Sequence, residues 1–118
     1  WMDAAIDKVA DGVGTDEIAK LWPKATDIGF ANEMDAFGLQ FGHGLGLGLH
    51  ERPIISRLNS LTHPVEIKAG MVFALETYCP SPDGISAARI EEEVVITNNG
   101  AQVITKFPAE KLFITNPY

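Results

Sequence analysis

The sequence predicts an α+β fold, with helices early and an antiparallel sheet late. Three observations carry that reading. Apolar residues near the start recur at helical spacing, the stretch from Met71 onward is rich in β-forming residues, and Asn98-Asn99-Gly100 separates two β-rich runs as a hairpin turn would. Helices first and hairpin-joined strands afterwards favour separate layers over a doubly wound parallel sheet.

Element by element, Ile6, Val9, Ala10 and Val13 form the apolar stripe of a first helix, with Asp3 and Asp7 toward its favourable N-terminal end and Gly12 and Gly14 punctuating its close. Thr15 is expected to cap a second helix, with Asp16 and Glu17 in its first turn and Ile18, Leu21 and Trp22 facing inward until Pro23 stops it. Asn32 is the expected cap of a short helical piece through Met34 and Phe37, ending at Gly38. Gly42 to His50 alternates glycine with leucine and reads as a strand, followed by a polar loop from Glu51 to Glu66 that holds Pro53 and Pro64. Met71 to Cys79 is a strand, Pro80 to Gly84 a turn, and Ile85 to Thr97 and Ala101 to Phe107 two further strands.

Composition narrows the class. The 118 residues suit one domain or a piece of one, and 46% hydrophobic with 21% charged residues is ordinary for a globular protein. Sixteen acidic against nine basic side chains give a net charge of −7 with no cluster of Lys and Arg, so nucleic acid is not an expected partner. No apolar run reaches the ~20 residues that a membrane helix needs. Lone Cys79 has no internal disulfide partner, which fits a reducing cytoplasm. The chain opens Trp1-Met2, as expected of a segment that begins inside a longer protein.

Three features carry chemistry. Gly42-His43-Gly44-Leu45-Gly46-Leu47-Gly48-Leu49-His50-Glu51 lacks the following helix of a dinucleotide loop and the His-Glu-x-x-His of a zinc-protease helix. In a regular strand, His43 and His50 would lie on opposite faces. They serve one site only if the strand ends or bulges between them, which glycine permits. Glu76 interrupts the apolar run Met71-Val72-Phe73-Ala74-Leu75, and a carboxylate in a buried strand needs a cation or hydrogen-bond donors. Glu91, Glu92 and Glu93 lead directly into Val94-Val95-Ile96, with Glu91, Glu93 and Arg89 sharing one strand face. One histidine and two strand carboxylates make a donor set suited to manganese, iron, cobalt or zinc.

Gly42-His43-Gly44-Leu45-Gly46 with His50-Glu51, then Gly70-Met71-Val72-Phe73-Ala74-Leu75-Glu76, then Arg89-Ile90-Glu91 running into Val95-Ile96-Thr97-Asn98-Asn99-Gly100, resemble the pita-bread superfamily. Its members include methionine aminopeptidase, aminopeptidase P, prolidase and creatinase. The resemblance covers essentially the whole chain, with the motifs in family order. It implies a C-terminal portion of a pita-bread catalytic domain, spanning residues 1–118, with helices packed on a curved, mainly antiparallel sheet. It implies that His43, Glu76 and Glu91 bind two divalent transition metal ions (Mn, Co, Fe or Zn), with Glu91 bridging them. By the same resemblance His50 contacts the substrate carbonyl and steadies the tetrahedral intermediate, Glu76 helps move a proton, and Arg89 supports the centre and the substrate. The implied reaction is cleavage of an Xaa-Pro-type amide bond, on a peptide or small-molecule substrate, by a hydroxide held between two metals.

Two departures from the family pattern stand out. The family supplies two further aspartate ligands upstream of the helices seen here, so the isolated chain is expected to bind metal poorly and to be inactive. Peptidases of the family usually show Glu-Pro-Gly where this chain has Glu76-Thr77-Tyr78. A related metal-dependent lyase of dimethylsulfoniopropionate, or a recognition module that kept the fold without the chemistry, are the alternatives. Family members often form homodimers, though nothing in this sequence fixes the oligomeric state.

Overall fold

In the computed structural model, residues 1–36 and 40–116 are described. The elements are α1 (Met2–Lys8), α2 (Thr15–Ala19), a 3-10 turn (Ala25–Ile28), β1 (Gly42–Gly44), β2 (Glu51–Ile55), α3 (Arg57–Ser60), β3 (Val72–Glu76), β4 (Cys79–Pro80), β5 (Ala87–Ala88), β6 (Glu91–Thr97) and β7 (Gly100–Val103). Five strands form one sheet in the order β2-β1-β3-β6-β7, every neighbouring pair antiparallel, while β4 and β5 make a separate two-stranded ribbon. This is the α+β arrangement that the sequence predicts.

Strand parity divides the sheet into two chemically distinct faces. Phe73 opposes Val94 across β3 and β6, and Leu75 and Ile96 lie on the same side two residues further along their strands. These four side chains pack with Ala5 and Val9, with Ile18, Ala19 and Trp22, and with Phe41 and Ile55 in one buried cluster beneath the helices. Trp22 stacks on Phe41, ring centroids 5.1 Å apart and planes 19° from parallel, which anchors α2 to the sheet. The opposite face carries the residues one step away in sequence: His43, Ala74, Glu76, Glu91 and Glu93.

Several local expectations shift. α1 ends at Lys8, because Val9 turns extended (φ −70°, ψ 117°). Val9 remains buried and the Val13 carbonyl accepts from Ile67 N at 2.8 Å, so both serve the core without being helical. Thr15 is not a cap: Gly14 holds that position, and the buried Thr15 hydroxyl accepts from Val65 N at 3.0 Å. Asn32 does bind locally, its Oδ1 accepting from Met34 N and Asp35 N at 2.9 and 3.0 Å, yet residues 33–36 form turns rather than a helix. The expected continuation through Phe37 and Gly38 lies outside the described residues.

The polar loop after His50 contains β2 and α3, the latter capped by Ser56 Oγ accepting from Asn59 N at 3.2 Å. The strand expected from Ile85 starts only at Glu91, and the preceding residues form the ribbon. At the last hairpin, Asn98 and Asn99 are the two turn residues, while Gly100 (φ 110°) opens β7 opposite Thr97. Among the described residues, no helix is long and apolar enough to cross a membrane.

Candidate metal centre

The chain segment that bears the two histidines is a strand for only three residues. β1 stops at Gly44, where the pairing with β2 shifts register: His43 opposes Ile54, but Gly44 opposes Glu51. A side chain on Gly44 would place its Cβ 2.6 Å from the Arg52 carbonyl oxygen, so only glycine lets the two backbones come this close. From Leu45 to His50 the chain bends away with Leu47 and Leu49 in solvent, and returns at Glu51. That reversal removes the parity problem. The His43 and His50 rings come to rest 4.3 Å apart, centroid to centroid.

His43 is 2% exposed, and its two ring nitrogens have different neighbours. Nδ1 lies 2.9 Å from the Gly44 carbonyl oxygen, which can only accept, so Nδ1 carries a hydrogen. Nε2 lies 3.0 Å from Glu76 Oε1. A bare nitrogen lone pair and a carboxylate oxygen repel at that distance unless a proton or a cation sits between them. A histidine that donates one N–H to a carbonyl and aims the other nitrogen at a carboxylate has the disposition of a metal-ligating imidazole.

Glu76 is 6% exposed at the end of β3. Its second oxygen, Oε2, accepts from the Arg89 guanidinium at 2.8 Å. A buried carboxylate is costly without such partners, and here one oxygen meets a cation while the other faces the imidazole. Arg89 thus reaches across to Glu76 from the end of the ribbon, a partner that the parity of Arg89, Glu91 and Glu93 alone does not reveal.

His43, His50 and Glu76 each place one ligand atom within 4.8 Å of the others, in a geometry able to hold a cation. Of the three ligands expected from sequence, two are therefore together and Glu91 is not in the cluster. Glu91 is exposed, but it is the direct cross-strand partner of Glu76 and projects from the same face. Directly opposed antiparallel residues hold their Cβ atoms about 4.5–5.5 Å apart, so Glu91 and Glu76 are neighbours on that face. His50, expected at the substrate, is as close to His43 and Glu76 as a ligand would be. Glu92 points to the other face, opposite Leu75, and takes no part.

The donor set fits a divalent transition ion: borderline imidazole nitrogen with hard carboxylate oxygen. Along the β2 edge of the sheet, a cavity of about 680 Å³ is lined by Arg52, Pro53, Ile54, Asn59, His63 and Val65, and by none of the three clustered residues. It begins at Ile54, the cross-strand neighbour of His43. One participant was missed from sequence, Glu51, whose Oε1 accepts from Gly48 N at 2.6 Å and braces the bend. The adjacency of Glu51 to His50 was its only sequence signal.

Known proteins resemble this chain in sequence and fold. Residues 1–98 match metallopeptidase family M24. The peptidase YqhT of Bacillus subtilis (strain 168) is 40% identical over 83 residues, 68% of this chain and 21% of that protein. The Xaa-Pro dipeptidase of Pyrococcus furiosus is 41% identical over 80 residues, 66% of this chain and 21% of that protein. Among solved structures, the dipeptidase PepE from Mycobacterium ulcerans superposes with a TM-score of 0.68 at 36% identity, covering 92% of this chain and 27% of that one. The chain thus spans between a fifth and about a quarter of the relatives that it matches. The fold is that of the pita-bread enzymes, and the chain belongs to metallopeptidase family M24.

Proposed function

We propose that this chain supplies part of the metal centre of a peptidase that hydrolyses Xaa-Pro bonds, with His43, Glu76 and Glu91 as metal ligands and His50 facing the substrate. The observation that carries the reading is the buried His43 Nε2 aimed at Glu76 Oε1 from 3.0 Å, an arrangement completed by a cation. The Xaa-Pro dipeptidase relative supports the substrate class. Two divalent ions bound here would lower the pKa of water and polarise a carbonyl, the chemistry that amide hydrolysis needs.

Each residue then has a distinct task. The Gly44 carbonyl fixes the His43 tautomer and aims Nε2 into the site. Arg89 holds Glu76 Oε2 and so orients the carboxylate, whose Oε1 faces His43 and would ligate an ion there, while the same carboxyl group helps to move the proton from the attacking water to the leaving amine. Glu91, opposite Glu76, is placed to share both ions. The His50 ring, exposed beside His43, donates a hydrogen bond to the carbonyl oxygen as negative charge develops there.

A second reading is favoured by one observation: His50 lies within ligand reach of His43 and Glu76. In that reading His50 is itself a ligand and Glu91 is not. Metal analysis of the longest natural chain that carries these residues, loaded with manganese or cobalt, decides between them. The first reading expects about two ions per chain, loss of metal and activity in Glu91→Ala, and a His50→Ala variant that keeps its metal while turnover falls. Loss of metal from His50→Ala reverses the two roles. Stoichiometric metal without turnover of any Xaa-Pro dipeptide discards the peptidase, and release of dimethyl sulfide from dimethylsulfoniopropionate identifies a lyase instead.

A further inference from the structure

We propose that Glu51 is a positioning residue, a carboxylate clamp that folds the Leu45–His50 bend so that the His50 ring meets His43. The inference rests on the reading of His50 as the substrate-facing histidine, but its geometry stands apart from it. Six residues separate the two histidines, and the bend between them has little to hold it. Leu47 and Leu49 are in solvent and contribute no packing. Backbone bonding within the bend is a single long contact, Gly46 N to Gly48 O at 3.4 Å, while Leu45 N is tied back to Val72 O at 3.0 Å. Against this, the Glu51 carboxylate accepts from Gly48 N at 2.6 Å, the shortest polar contact in the bend. Charge-assisted bonds of this kind are roughly twice as strong as neutral ones.

The glycines show why the carboxylate fits. Neither Gly46 nor Gly48 has a positive φ, so backbone conformation does not demand glycine at either position. Space does. A Cβ on Gly46 would lie 2.6 Å from Glu51 Oε2 and 3.1 Å from its Cδ, and one on Gly48 would lie 3.3 Å from Glu51 Cγ. The bend is thus wrapped around the carboxylate, and the missing side chains form its seat. Because Glu51 directly follows His50 and opens β2, the clamp fixes the point at which the bend rejoins the sheet, and with it the direction of the His50 ring.

This arrangement makes a pairwise prediction. Gly46→Ala should expel the flexible carboxylate rather than break the backbone, and so should mimic Glu51→Ala. In a Glu51→Ala background the collision is gone, so Gly46→Ala should then cost nothing more. Glu51→Gln, which keeps an acceptor for Gly48 N at the same reach, should restore most of the function.

Two readouts test it. In the longest natural chain, Glu51→Ala and Gly46→Ala are each expected to lower kcat about 100-fold, the scale of a displaced catalytic group, with KM and metal content little changed. The double variant should match either single one within about twofold, and Glu51→Gln should lie close to the parent. Multiplying losses in the double variant, or a Glu51→Gln as poor as Glu51→Ala, overturns the clamp. The second readout needs neither metal nor substrate. The present chain has three histidines, so ring-carbon labelling yields three resolved signals. The His43–His50 cross-relaxation expected from rings 4.3 Å apart should vanish in Glu51→Ala and persist in Glu51→Gln. Its persistence in Glu51→Ala overturns the proposal even if the peptidase reading holds, whereas its loss without any peptidase activity leaves the clamp standing and removes only that reading.

Discussion

The two faces of the central sheet are built from alternate residues of the same strands, yet they solve opposite problems. On one face the apolar side chains of Phe73, Leu75, Val94 and Ile96 are buried in one cluster with residues of α1 and α2. On the other, His43, Ala74, Glu76, Glu91 and Glu93 gather charge, and the two most buried polar groups are each answered by name: His43 by Gly44 and Glu76, Glu76 by Arg89. A step of one residue, from Leu75 to Glu76, crosses from the apolar core to the face that carries the candidate metal ligands. Stability and function should therefore be separable by mutation on neighbouring positions.

The largest effect is expected on the helix-covered face. Phe73 is fully buried, and Phe73→Ala should destabilise the fold by about 3–5 kcal/mol in urea unfolding. A loss below about 1 kcal/mol would mean that this face is not the core. Next comes Arg89, which pairs with Glu76, a proposed ligand. Arg89→Met should weaken divalent-ion affinity of the longest natural chain about 10- to 100-fold by calorimetry, and should lower stability by less than Phe73→Ala does, as Glu76 loses its cationic partner. A stability loss equal to that of Phe73→Ala would erase the distinction between the faces.

A smaller effect belongs to the ribbon that delivers Arg89. The Asp83 carboxylate accepts from Ser86 Oγ, Ser86 N and Ile85 N, and these bonds, with the Ser86 hydroxyl foremost, hold its pKa down to about 2. A depressed carboxylate contributes stability above its ordinary value of 3.8 and loses it as pH falls through about 2. Protection of the Ser86 amide should therefore decline between about pH 4 and pH 2, and Asp83→Asn should remove that dependence. A midpoint near 3.8 would show that the turn does not form. The least effect is expected at Glu93, exposed on the site face: Glu93→Gln should change stability by less than about 0.5 kcal/mol.

How much of this was legible follows the range over which each signal acts. Glu76 announced itself by breaking an apolar run, and the Asn98–Gly100 turn fixed the β6–β7 hairpin, because both signals lie within one or two elements. β2 hid in a loop because Pro53 argues against a central strand. β2 is an edge strand, where a proline is tolerated. α3 spans four residues, too few for a periodic stripe, and rests on the Ser56 cap. The helical spacing of Val9 and Val13 misled because burial alone, without helix, put them inside. The meeting of His43 with His50 depends on a strand that ends early, which the glycine run permits without fixing where, and the reach of Arg89 to Glu76 depends on a ribbon that no local pattern encodes.

The most direct test is anomalous diffraction from crystals of the longest natural chain grown with manganese. The account predicts ions about 2.0–2.2 Å from His43 Nε2 and from the carboxylates of Glu76 and Glu91, with the His50 ring nearby and unbonded. Ions bound away from these side chains, or an ion held by His50 with Glu91 left in solvent, would contradict it.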